Sequence, residues 1–474
     1  MTDTSHRPVE GAGVRRGPWN ALAVVSIGYV LIMLDQGIMP VVTPHLPAAN
    51  ANDAVWLTSI YLLATVVPMP ITGRLGDKYG QRRVYIIGLA LYAVSLTLAA
   101  LPGSGDQWWR LVVARALQGL GAAIFLPQAF GMINRVFRSD GRGKAFAAWG
   151  VIGSIGSLVG PILGGYLIGA FGWQSAFTVQ AVIAVVGVIV ASAWLPQLHA
   201  TPVRLRVTPL ILSFCALTSL VWGIQSRAGW LILLGCGLIA VLVATERSRS
   251  SDEAFLPFEL LRNRNFALGT AAISCMGFAV ASMFIPIMYW LQSGAGISAS
   301  MAGWLTAPMS VMALVLTPYA GVLADKVDPR VLNAAGFAVM AAGLLCGWAI
   351  AVAGANPLLF ALVTTLLGVG SAFVWAPNAT TTMRDVPESV AGAASGLYNT
   401  LRQVGSVVGV AMVGAVMGRA AMDGAAVDGS AVGESSISAM LVPAIAMVAG
   451  AILSLFLRDD LLIDGRSDGM SESR

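Results

Sequence analysis

Asp35 is the residue whose setting most demands chemistry. It sits in the apolar run 19–42, inside Leu31-Ile32-Met33-Leu34-Asp35-Gln36-Gly37-Ile38-Met39. Fourteen apolar segments can be read along the chain, and Asp35 is the single carboxylate within any of them. A carboxylate in hydrocarbon costs about 2.5–3.5 kcal/mol even on lenient insertion scales, so it must be paired, hydrated or protonated. Desolvation favours the neutral acid, whereas a nearby cation favours the anion. A group held between those two pulls can load and release a proton as its surroundings change.

Arg115 is the expected partner. Asp35 lies seven residues before the end of the first apolar segment, and Arg115 seven residues after the start of the fourth, 108–134. At 1.5 Å rise per residue, both sit about 10 Å below the same surface. Opposite charges at equal depth in a low dielectric pair naturally. Proton coupling through this pair is preferred here over a static ion pair that only fixes helix packing.

Other polar residues in apolar surroundings are candidates for a substrate cavity. Asn399, Arg402 and Gln403 stand at i, i+3 and i+4, so they share one helix face. Arg402 is the one cation within the apolar segments of the second half. Substrate contact and helix–helix hydrogen bonding are both open readings of this stripe. Trp375 and Asn378 are candidates of the same sort, while Tyr289-Trp290 reads as an interfacial aromatic anchor.

The elements that must position these residues are membrane spans. Of 474 residues, 57% are hydrophobic and 11% charged, against about 25% charged in soluble domains. Expected spans lie near 19–42, 55–75, 84–101, 108–134, 145–170, 175–195, 207–224, 229–245, 267–291, 300–323, 331–353, 357–382, 389–417 and 438–457. Each approaches the ~20 residues that cross the hydrocarbon layer. The first is too long for a signal-peptide core and reads as a retained anchor. Of 28 Lys and Arg residues, all but Arg110, Arg115, Arg227, Arg402 and Arg419 fall on one side if both termini are cytoplasmic. That is the bias of the positive-inside rule, and it supports an even number of spans.

Charge and motif content also exclude function classes. The net charge of +5 is spread over loops on the cytoplasmic side, so no nucleic-acid partner is expected. The four cysteines, Cys215, Cys236, Cys275 and Cys346, lie in apolar segments without metal-ligand spacing, and no metal or cofactor is expected. His6, His45 and His199 all lie outside the spans, so Ser395 in Gly392-Ala-Ala-Ser395-Gly396 has no intramembrane base. No Gly-Lys-Ser/Thr phosphate loop is present. The chain reads as no enzyme, and its energy must come from an ion gradient or from the substrate's own.

An internal repeat gives the architecture. Gly73-x-Leu-x-Asp77 recurs as Gly321-x-Leu-x-Asp325, Gly119-x-Gly121-x-Ala123 as Gly368-x-Gly370-x-Ala372, and Gly156-Ser-Leu-Val-Gly160 as Gly405-Ser-Val-Val-Gly409. The offsets are 248, 249 and 249 residues. This implies an all-α membrane protein of two parallel six-helix bundles, 19–198 and 251–458. Two further helices are inserted at 199–250, with tails at 1–18 and 459–474. Parallel repeats with a midplane site between them describe a secondary transporter.

At this point the motifs carry a specific resemblance. Gly73-Arg-Leu-Gly-Asp77-Lys-Tyr-Gly80-Gln-Arg82-Arg83 resembles the signature loop of the major facilitator superfamily, and Arg115-Ala-Leu-Gln-Gly119-Leu-Gly121 its arginine motif. Gly153-x-x-Gly156-x-x-x-Gly160-Pro161-x-x-Gly164-Gly165 is similar to its antiporter motif. Gly392-Ala-Ala-Ser-Gly396-Leu-Tyr-Asn399-Thr-Leu-Arg402-Gln-Val-Gly405 resembles a motif of the fourteen-helix drug:proton antiporter (EmrB/QacA-like) branch. The resemblance implies a major facilitator fold in the cytoplasmic membrane, acting as a monomer and exporting small lipophilic compounds in exchange for protons. It links Asp35 and Arg115 to proton coupling, and Asp77 with Gly73, Gly80, Arg82, Arg83 and Asp325 to a cytoplasmic gate. It also implies that the Gly153–Gly165 helix, bent at Pro161, seals the pathway against proton leak; from the residues alone it is equally a packing face. Departures include Asp328 where the second-half loop would carry the counterpart of Gly80, and Gln174 after Trp173 where the family has Arg. A facilitator or symporter for a nutrient shares the fold and is the alternative.

Overall fold

The computed structural model describes residues 17–47, 51–102, 107–137, 139–197, 208–247, 258–324, 327–386, 391–418 and 429–457. All of its regular elements are helical. Apolar runs this long have no water to satisfy their peptide groups in hydrocarbon, so the backbone bonds to itself. Hydroxyls inside the runs do the same locally: Ser26 donates to the Leu22 carbonyl and Thr65 to that of Tyr61, both at 2.8 Å.

In chain order the first half comprises α1 (Pro18–Val42), α2 (Ala51–Val66), α3 (Met69–Tyr79), α4 (Gln81–Ala100), α5 (Gln107–Val136), α6 (Ser139–Phe171) and α7 (Gln174–Trp194). Then come α8 (Thr208–Ser226) and α9 (Gly229–Arg247). The second half holds α10 (Arg264–Ser282), α11 (Phe284–Tyr289), α12 (Ala299–Trp304), α13 (Ala307–Ala324), α14 (Pro329–Val352), α15 (Phe360–Met383) and α16 (Ala391–Met417). Helices Gly429–Ala439 and Leu441–Leu455 follow.

Among the described residues, twelve helices are long and apolar enough to cross a membrane. The expected count of fourteen is therefore not reached. The spans expected near 55–75 and 207–224 are represented by the shorter apolar helices Asp53–Val66 and Ile211–Ser226. In the first case the reason is physical: the chain turns at Val67–Pro68, and α3 begins as a separate helix with Pro68 as its N-cap. The charged stretch ending in Tyr79 continues helically rather than forming a loop.

Helix pairings in the first half recur in the second. α6 packs along α1 as α16 packs along α10; α4 pairs with α5 as α14 with α15; α2 pairs with α5 as α13 with α15. The repeated glycines make these approaches close. A Cβ on Gly160 would stand 3.0 Å from Gly37 Cα, and one on Gly121 2.9 Å from the Gly88 carbonyl. In the second half Gly409 and Gly370 meet the carbonyls of Phe278 and Gly336 in the same manner. α8 lies against both α2 and α16 and so touches both halves; Gln225 on α8 donates to Ser59 Oγ at 2.8 Å. α9 packs mainly on α8 and exposes Trp230 and Leu233.

The halves meet at one end, the end where α1 reaches Val42. His45 donates to Gln292 Oε1 at 2.7 Å, Gln292 donates to the Val41 carbonyl at 3.2 Å, and Tyr289 reaches the Thr43 carbonyl. Gly165 on α6 lies against the Ala299 and Ser300 backbone, and Gly303 on α12 against the Pro161 carbonyl. Toward the Pro18 end, Phe130, Val151 and Ile155 are exposed on the first half, as are Ser395 and Asn399 on the second. The contacts described between the two halves thus gather at the Val42 end.

Two expectations change here. Tyr289 and Trp290 are buried within protein rather than lying at a membrane interface: Trp290 stacks on Phe360 with centroids 5.1 Å apart. Aromatic residues at the end of a span fit either role from sequence. The loop position equivalent to Gly80 also differs. Gly80 takes a φ of 92° between α3 and α4, whereas Asp328 at φ −49° caps α14, accepting from Arg330 N at 2.8 Å and pairing with its guanidinium at 2.6 Å. The second half therefore needs no glycine at that turn. Gly80→Ala is expected to lower stability by about 1–2 kcal/mol, because a Cβ is strained at positive φ; thermal unfolding in detergent would read this.

Candidate functional site

Asp35 and Arg115 form the polar centre of the first half. Arg115 Nη1 donates to both carboxylate oxygens, at 2.8 and 3.0 Å, and each residue is 1% exposed. Gln118, one turn along α5, locks the pair. Its Oε1 accepts from Arg115 Nη1 at 2.7 Å, while its Nε2 donates to Asp35 Oδ1 at 3.0 Å. Arg115 Nε donates to the Leu57 carbonyl on α2 at 3.2 Å, and the guanidinium lies 4.4 Å from the Tyr61 ring centroid. Three helices, α1, α2 and α5, thus hold one buried ion pair.

Close backbone approach is what brings those helices within reach. Gly119, next to Gln118, faces the Tyr61 carbonyl, where any side chain would push α5 off α2. On the other side of α1, the expected antiporter glycines make a continuous seam. Gly153 faces Tyr29, Gly156 faces Met33, Gly160 faces Gly37 and Gly164 faces Ile38. Pro161 sits where a Cβ on Gly37 would come within 2.7 Å of its ring. Asp35 is therefore carried by a helix clamped on one face by a glycine seam and tied on the other to Arg115.

Tyr61 tests the nature of these contacts. Its hydroxyl is buried beside Thr65 and Tyr92, without a hydrogen bond of good geometry among the described residues. Tyr61→Phe is expected to leave stability and transport nearly unchanged, since the ring face that meets Arg115 persists. Tyr61→Ala removes that face and should cost about 2 kcal/mol or more. A transport assay with thermal unfolding would distinguish the two variants.

The expected gate residues are brought together only in part. Gly73 and Asp77 lie on α3, where Gly76 meets the Gln128 side chain. Arg82 donates to the Ser192 carbonyl at 2.5 Å, and Arg83 is exposed. Asp325 and the Asp77 side chain lie outside the described residues.

The second-half candidates sit around the face of α16. Arg402 and Gln403 are half-buried and Asn399 is exposed, its amide bonded to the Ser395 carbonyl. The Arg402 guanidinium lies 5.7 Å from the Trp375 ring centroid on α15. Asn378 is fully buried, and its Oδ1 accepts from Tyr398 Oη at 2.8 Å. Sequence reasoning missed four residues here: Gln118, Tyr61, Tyr398 and Tyr29. Gln118 carried a signal, a polar residue one turn from Arg115; the tyrosines looked like ordinary core.

The Major Facilitator Superfamily model matches residues 25–410. The chain belongs to the major facilitator superfamily. Within the superfamily it is 34% identical over 422 residues to the uncharacterized MFS-type transporter Rv1250 of Mycobacterium tuberculosis, covering 86% of this chain and 72% of the relative. It is 28% identical to the tetracenomycin C resistance and export protein of Streptomyces glaucescens, covering 86% and 77%. To the riboflavin transporter RibZ of Clostridioides difficile it is 26% identical, covering 83% and 87%. The crystal structure of a D-xylose-proton symporter superposes with a TM-score of 0.67 at 13% identity, covering 93% and 98%; that likeness concerns the fold. This chain is thus a multi-pass superfamily transporter whose relatives include antibiotic exporters.

Proposed function

We propose that this superfamily member exports small lipophilic compounds in exchange for protons, by alternating access between the bundles 19–198 and 251–458. The single observation that carries the reading is the buried Asp35–Arg115–Gln118 cluster. A carboxylate in a membrane bundle is held charged by its guanidinium and favours a proton once the two separate. Asp35 and Arg115 are the coupling pair. The seam of Gly153, Gly156, Gly160, Pro161, Gly164 and Gly165, packed along α1, seals the pathway against proton leak. Gly73, Asp77, Gly80, Arg82, Arg83 and Asp325 form the cytoplasmic gate.

With both termini in the cytoplasm of a plasma-membrane protein, the Val42 end is external, and the contacts between the halves there close the external side with the ion pair made. That is the state expected to load substrate. Opening outward would expose Asp35 to external protons; protonation would part it from Arg115 and favour release. Counting α2 and α8 as spans gives the fourteen helices of the drug:proton antiporter branch, with 199–250 as an insert that shields the seam between the bundles. The protein acts as a monomer.

Inside-out membrane vesicles test this reading. Uptake of compounds from a panel of toxic aromatic molecules should require an imposed pH gradient and collapse with a protonophore. Gradient-independent uptake would contradict proton exchange. A second reading, delivery of a specific nutrient, is favoured by the relationship to RibZ, and uptake into intact cells without efflux would support it.

A further inference from the structure

Arg402 is a membrane cation with no anion beside it among the described residues. Among the described residues no carboxylate lies within ion-pair distance of it, because Asp35 is taken by Arg115 and the other pair described is Asp328–Arg330. None of its five N–H donors is hydrogen-bonded to a described residue. Its stem packs on the α10 backbone, where a Cβ on Gly277 would meet Arg402 Cγ at 3.1 Å. Its head faces Trp375 and lies within electrostatic range of Tyr398 and, from the other half, of Tyr29 on α1. Tyr29 stands near the middle of α1 and Arg402 near the middle of α16, so the group is at half-depth. The Tyr29 ring pairs with Trp149 on α6 at 4.4 Å. Aromatic side chains from both halves therefore lie near the cation, Trp375 with its ring toward it.

Resting on the exporter reading, we propose that the transported compound is an aromatic acid, whose carboxylate or acidic phenol is taken by Arg402 and whose planar body lies between Trp375 and Tyr29. An unpaired guanidinium in a membrane bundle must be hydrated or matched by an anion, and a planar fork with free donors matches an oxyanion bidentately. Aromatic walls supply face contacts to a flat molecule at low entropic cost. The charge count favours the same sign: among the described residues no carboxylate stands free beside Arg402 to offset a cationic compound. Contact with both Tyr29 and Arg402 would also make binding sensitive to the separation of the halves, which alternating access requires.

Binding of three probes with one ring system tests the site: pyrene-1-butyric acid, its methyl ester, and a pyrene-butyl trimethylammonium salt. Full-length protein in nanodiscs is titrated, with energy transfer from tryptophan to pyrene as the readout. The acid should bind about tenfold or more tightly than the ester, as a charge-assisted bidentate contact requires, and the ammonium probe least. Arg402→Gln should erase the preference for the acid, whereas Arg402→Lys should keep part of it. Size-exclusion profile and thermal unfolding confirm that both variants are folded. Equal affinities for the three probes, absence of binding by the acid, or an acid preference untouched in Arg402→Gln would each overturn the proposal. The exporter reading fails separately. Selective binding of the acid without gradient-driven uptake into inside-out vesicles would sink export and leave the anion site standing. Gradient-driven uptake of ester and ammonium probes, indifferent to Arg402→Gln, would do the reverse.

Discussion

Asp35→Asn is expected to reduce pH-gradient-driven transport to the level of vesicles lacking the protein, while substrate-for-substrate exchange persists. The amide cannot carry the proton, but the substrate-cavity candidates on α15 and α16 are untouched. The same change leaves Arg115 buried at 1% exposure without its counter-charge. Breaking a buried pair from one side costs about 3–5 kcal/mol, so thermal stability should fall as well. Those two losses can be separated. Asp35→Asn with Arg115→Gln removes both charges and should recover most of the stability, because Gln118, the Leu57 carbonyl and the new amides can still hydrogen-bond. It should recover none of the proton-driven transport. A pair that served packing alone would regain transport along with stability, and that outcome would reduce the cluster to a structural brace.

The second large effect is expected at the closed end. Gly303 and Gly165 sit where the backbones of the two halves touch, and the contacting atoms are main-chain carbonyls of Pro161 and Ala299. A leucine there has no rotamer that avoids a backbone. Overpacking costs about 1–3 kcal/mol, and every 1.4 kcal/mol moves a two-state equilibrium about tenfold. Gly303→Leu should therefore drive the protein from the state closed at the Val42 end toward the state open there. Spin labels at positions 45 and 292, which are joined by a 2.7 Å hydrogen bond, would report a longer distance in the variant. Gradient-driven transport should drop about tenfold or more, since one of the two states would be scarcely visited. Unchanged label distances would show that the contact is not a gate.

Much of this arrangement could be read from residue types and spacing. Asp35 and Arg115 stood at matching depths in separate helices, and burial in hydrocarbon left each few other partners. The glycine spacings that repeat between halves marked where backbones touch, and α6 on α1 and α16 on α10 are those approaches. Single-helix reasoning could not see which second surface each residue meets. Tyr289 and Trp290 had the composition of an interfacial anchor, yet their neighbours Thr43 and Phe360 come from elsewhere in the chain. Tyr29 was one aromatic in an apolar run until α16 placed Arg402 near it. The second span reads through Pro68 because apolar residues continue on both sides of the turn at Val67–Pro68. A glycine in one loop and an aspartate in its counterpart looked like a lost feature; Asp328 instead stops the chain with a side-chain cap, a solution that needs no positive φ.

The central claim is that Asp35 gains and loses a proton as the halves move. Infrared difference spectroscopy on the reconstituted protein measures this directly, by following the stretch of a protonated carboxyl group as pH is lowered and as substrate is added. A protonated-carboxyl band should appear on acidification, vanish when substrate binds, and be missing in Asp35→Asn. A band that is unaltered in Asp35→Asn, or no protonated carboxyl responding to substrate at any pH, would contradict the account.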